Sequence, residues 1–126
     1  MQTKLLYLSD LKFNLDVWKR ELKFHLNEMH EFEEKLEEIA ARGLGIEAMA
    51  PLESFQNKII REREVIGQLL QRIRRRRNIV DSVDLTEDLD GRLRNEQNPL
   101  RDDMKTYIKL HYELKEDMMD FLLKWL

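Results

Sequence analysis

Apolar residues recur along the first third of the chain in alternating steps of three and four: Leu8, Leu11, Leu15, Trp18, Leu22, His25, Met29, Phe32, Leu36 and Ile39. A mean step of about 3.5 residues is the repeat of a helix packed lengthwise on other helices, because every marked position returns to one seam. His25 is the one polar member. Glu31, Glu33, Glu34, Glu37 and Glu38 fall off the seam and solvate the outside, and Gly43 supplies a stop. The pattern predicts a helix over about 4–42, roughly 58 Å long.

Gly43, Gly45 and Pro51 bracket a short connection. A second series follows in Leu52, Phe55, Ile59, Glu62, Ile66, Leu69, Ile73, Arg76, Val80 and Val83. It predicts a helix over about 51–80, and a short link between long helices makes them antiparallel neighbours. A crossover is expected over 81–98. There Asp84 and Glu87 have capping-box spacing and Gly91 follows, so 85–90 reads as a short helical turn. Asn98 followed by Pro99 is a start signal, with Asp102 and Asp103 placed to complement the helix dipole. The third series, Leu100, Met104, Tyr107, His111, Leu114, Met118, Phe121 and Trp125, predicts a helix over about 99–126. The fold class is therefore all-α: a single domain over 1–126, built as an up-down-up antiparallel bundle of three long helices.

Two helices are apolar on a second side as well. Leu6, Phe13, Val17 and Phe24 lie opposite the main seam in the N-terminal half of the first helix. Tyr112, Met119, Leu123 and Leu126 form a comparable stripe in the C-terminal half of the third. A helix apolar on two sides must be covered twice or leave a sticky patch. The crossover, through Leu85, Leu89 and Leu93, could fold back over one stripe. The sharper expectation is self-association into a larger helical bundle, because a two-fold axis across the bundle brings each stripe against the other stripe of a second copy.

Ionisable residues interrupt each apolar series: His25, Glu62 and His111, with Arg76 further along the second helix. Aligning the helices by their ends puts the first three within two turns of one another. A polar layer is expected, with Glu62 accepting from one or both imidazoles and so fixing register. The functional alternative is a metal or small-ligand site at His25, Glu62 and His111, with Glu21 or Glu28 as a further ligand. Against it, no Glu stands three residues before any His, and His30-Glu31 is not continued into His-Glu-x-x-His.

Arg72, Arg74, Arg75, Arg76 and Arg77 are the strongest local bias in composition. Nucleic-acid contact is one reading of such a run. It lacks interleaved aromatics, however, and the following segment is acidic through Asp81, Asp84, Glu87, Asp88 and Asp90. A solvated helix end whose guanidinium groups pair with those carboxylates is the expected role.

Composition sharpens this picture by exclusion. Charged residues make up 37% of the chain, and 22 basic against 25 acidic residues leave a net charge of −3. Such a balance gives no global pull toward nucleic acid or anionic lipid. With no Cys there is no disulfide framework or thiolate nucleophile. Ser9, Asp10 and Lys12 break the opening apolar run, so no secretory segment is read, and no stretch approaches the ~18 apolar residues of a membrane span. A cytoplasmic location is expected, without a membrane partner. Gly43-Leu44-Gly45 is too short for a phosphate loop, and Gly-x-Ser-x-Gly is absent. The expectation is a non-enzymatic bundle without a cofactor, acting through protein contact as a homo-oligomeric scaffold or adaptor. Ligand binding at the His/Glu cluster ranks second, and weak nucleic-acid binding through Arg72–Arg77 third.

Overall fold

A computed structural model describes residues 2–83 and 91–126, with side chains from residue 7 onward. Three helices account for almost all of it: α1 (Gln2–Ala40), α2 (Ile46–Asp81) and α3 (Arg92–Trp125). They run up, down and up, and each packs on the other two, as a three-helix bundle. The residues that mark the 3.5-residue repeats are the ones the bundle buries, with Trp18, Val83, Leu114 and Trp125 only partly covered. Leu15, Leu22, Leu36 and Ile39 of α1 are fully enclosed, as are Ile59 and Ile66 of α2 and Met104 and Met118 of α3.

Gly43 ends the first helix with a φ of 64°, the left-handed region in which a side chain is strained. Its N–H and that of Arg42 bond back to the carbonyls of Ala40 and Ile39, closing the last turn. Arg42 then reaches across the end of the bundle, donating to the main-chain oxygens of Trp125 (2.6 Å) and Leu126 (2.9 Å). The last turn of α3 is thereby tied to the end of α1.

The apolar core divides into two clusters. One gathers Leu8 to Leu22 of α1, Ile66 to Val80 of α2 and Leu93 to Tyr107 of α3. The other gathers Met29 to Ile39, Leu52 to Ile59 and Met118 to Leu122. In each helix the residue at the break between clusters is ionisable: His25, Glu62 and His111.

Two boundaries differ from the sequence expectation. α2 begins at Ile46, so Pro51 lies inside it, because Ala48 is fully buried and extends the seam one turn upstream. α3 begins at Arg92 and carries Pro99 in its interior, so the expected crossover over 81–98 is shorter by seven helical residues. The cause is tertiary. Leu93 is buried against the core, Gln97 Nε2 donates to the Leu11 carbonyl at 3.3 Å, and the buried Arg76 donates to the Leu93 carbonyl at 2.9 Å. The Tyr7 hydroxyl also accepts the main-chain N–H of Arg94 at 2.7 Å, satisfying a first-turn donor of α3. Leu93 thus belongs to the core and does not cover the second face of α1. Leu85, Leu89 and the turn expected over 85–90 lie outside the described residues.

Candidate functional site

The break between the two core clusters is a polar layer assembled from all three helices. The imidazoles of His25 (α1) and His111 (α3) stack face to face, 3.6 Å between centroids and 7° from parallel. His25 Nδ1 meets the hydroxyl of Tyr107 at 2.8 Å, and its Nε2 meets Glu21 Oε1 at 3.0 Å. His111 Nδ1 meets Glu62 Oε1 of α2 at 2.5 Å, and its Nε2 meets Glu28 Oε1 at 3.3 Å. Lys115 pairs with the other oxygen of Glu28. Glu62 Oε2 is buried and has no hydrogen-bond partner among the described residues.

Donor accounting assigns roles within the layer. Both nitrogens of His111 face carboxylate oxygens, so either tautomer of the ring donates to one of them. His25 needs one proton, on Nε2 toward Glu21, while its Nδ1 accepts from the Tyr107 hydroxyl. Burial and the charge of the stacked His111 push the His25 pKa below its ordinary value, against the opposing pull of Glu21 and Glu28. Burial likewise pushes the Tyr107 phenol far up, reinforced by the charge of Glu62, so it stays a hydroxyl. Burial would raise Glu28 too. The hydrogen bonds and charges of Lys115 and His111 outweigh it and hold that carboxyl below its usual range.

The layer opens in two directions. Toward α2 and α3, Glu62, Tyr107 and His111 line a groove of about 540 Å³ whose walls include Val65, Leu69 and Leu110. Toward solvent between α1 and α3, Glu21 and Glu28 form its rim. Here it meets the second apolar face. Phe24 lies beside His25 with centroids 6.3 Å apart, Tyr112 stands edge-on to His25 at 5.8 Å, and the Tyr112 hydroxyl donates to Glu21 at 3.4 Å.

That face is exposed over its described length. Phe13 and Phe24 are 66% and 54% accessible, Val17 44%, Tyr112 44%, Met119 45%, Leu123 81% and Leu126 46%. The side chain of Leu6 lies outside those described. Phe13, Val17 and Phe24 share one face of the lower half of α1, and Tyr112, Met119, Leu123 and Leu126 share one face of the upper half of α3. Because Phe24 and Tyr112 both adjoin His25, the two half-stripes meet there as one diagonal apolar band across the α1/α3 side.

The arginine run is divided among structural tasks. Arg76 is buried, binding the Leu93 carbonyl and Glu96. Arg72 pairs with Asp103 at 2.7 Å, and Arg77 bridges Asp16 and Asp81. Arg74 and Arg75 are exposed and carry no ion pair among the described residues. The run is thus mostly engaged in holding α2 to its neighbours.

Sequence spacing anticipated the meeting of His25, Glu62 and His111, but not the detail of their pairing. Glu62 bonds His111 and also acts on the Tyr107 hydroxyl, and His25 turns to Tyr107 and Glu21. Tyr107 and Lys115 were not anticipated as members, although each stands four residues from His111 and so within one turn on its face. Comparison with models of known protein families, with curated proteins and with solved structures finds no match to this chain. Among the described residues no helix is long and apolar enough to cross a membrane.

Proposed function

We propose that this bundle is a non-enzymatic scaffold that works by self-association, its contact surface being the diagonal apolar band on the α1/α3 side. The observation behind it is the exposure of Phe13, Phe24, Met119 and Leu123 on faces where helices built for water carry charge. The occupant is a second copy. A two-fold axis across the band sets the N-terminal half of α1 on the C-terminal half of the partner's α3. Charges along the band agree with this pairing. Arg20 stands within the α1 stripe with Lys23 nearby, and Glu116 and Asp120 accompany the α3 stripe.

Sedimentation equilibrium of the Phe13→Glu, Phe24→Glu double variant tests the reading. The wild type sediments as a dimer or larger species and the variant as a folded monomer with unchanged helicity. Equal masses for the two proteins overturn the assignment of this face. A cytoplasmic location fits the absence of cysteine.

A further inference from the structure

From the polar layer we infer a second property, independent of self-association: it is a binding site for one divalent zinc ion, with His25, His111 and Glu28 as ligands and Glu21 placed to supply a fourth. Donor atoms of His25, Glu28 and His111 already lie within 4.8 Å of one another. Zinc holds nitrogen and oxygen at about 2.0–2.2 Å, so four tetrahedral donors stand about 3.4 Å apart. Contraction by roughly an ångström brings the group to that spacing, with the two rings turning out of their parallel stack so that their lone pairs converge.

The orientation of the rings supports the assignment. Each imidazole directs Nδ1 inward to a fixed partner, Tyr107 for His25 and Glu62 for His111, and directs Nε2 toward the α1/α3 opening. A ligating histidine is characteristically held this way, one nitrogen donating to a carboxylate or hydroxyl and the other free for the metal. Tyr107 can serve either tautomer of His25, because a hydroxyl both donates and accepts. Glu62, named from the sequence as a ligand, lies on the inner side and is instead a positioning group.

Charge points the same way. Glu21, Glu28 and Glu62 place three carboxylates around one ammonium, Lys115, so with both imidazoles neutral the layer has an excess of two negative charges. One divalent cation neutralises that excess. Imidazole with carboxylate is a donor set that suits zinc. Glu21, about a third exposed, stands at the entrance.

The test is isothermal titration of Zn2+ into tag-free, chelator-treated protein. All variants are built on His30→Ala, because the exposed His30–Glu34 pair (3.1 Å) offers a surface site of its own. The His30→Ala protein is expected to bind one Zn2+ per chain. Adding His111→Gln abolishes binding, Glu28→Gln weakens it more than tenfold, and Glu62→Ala weakens it about 10- to 100-fold through loss of the positioning bond. Circular dichroism reports whether each variant is folded. If His111→Gln does not fold, Glu28→Gln at the rim decides. No saturable binding to the His30→Ala protein overturns the inference, and so does binding unchanged by Glu28→Gln.

Discussion

His111 is held by carboxylates on both ring nitrogens, and this shapes how the layer responds to substitution and to acid. Glu62→Ala leaves the Nδ1 proton of a fully buried ring without an acceptor, where loss of one partner of a buried pair costs about 3 kcal/mol. Urea denaturation should show that loss, with Glu62→Gln, which keeps an oxygen in place, falling between the variant and wild type. Acid acts through two other members. The His25 pKa lies below its ordinary 6.5, so in the interval beneath 6.5 the unfolded chain binds a proton that the folded chain refuses. The His25 contribution is therefore complete above about pH 6.5 and declines as pH falls through that value toward the folded one. Glu28, held below its ordinary 4.5, adds a second decline as pH drops through that range. Urea midpoints of the metal-free protein should fall between about pH 7 and pH 5 and fall further below it; a flat profile contradicts the charge assignments. The polarity of this layer was legible because ionisable residues interrupted otherwise apolar series. Its wiring was not, since which oxygen meets which nitrogen depends on the height and rotation of three helices.

Each helix follows from its repeat, but its ends are decided by different forces, and two glycines separate them. Gly43 has a φ of 64°, where any L side chain is strained, so Gly43→Ala should cost about 1–2 kcal/mol. Gly67 sits exposed within α2 with nothing near the position of an added Cβ, so Gly67→Ala should stabilise by about 1 kcal/mol. Thermal unfolding of the two variants should thus move in opposite directions. The Gly43 stop was readable because its signal is local. The start of α3 was misread for the converse reason: Asn98-Pro99 is a good local signal, overruled by Leu93, Gln97 and Arg76, whose contacts lie on other helices. The seam itself held the correction, because a step of three and then one of four back from Leu100 reach Gln97 and Leu93.

At the scale of the whole molecule the fold class was fully legible, because period and link length specify an up-down-up bundle. The face proposed for association was legible only as excess apolar residues, and the structure joins its two halves at Phe24 and Tyr112. If a second copy covers that band, Arg20→Glu weakens the dimer and Glu116→Lys in the same chain restores part of the loss. A double-mutant cycle on the dissociation constant should return a coupling of about 0.2–1 kcal/mol per rim pair; zero coupling separates these two charges. The parallel course of α1 and α3 has a further consequence. Contacts between α1 and α2 start at a tight link and can close turn by turn, each a small loop beyond the last. Those between α1 and α3 have no such beginning, since the bonds joining them span 82 to 91 residues all along the bundle. Chain entropy charges the whole loop for the first of these contacts and little for the rest. The joining of α1 to α3 is accordingly a late, collective event that completes the stacked imidazoles and the exposed apolar band in one step.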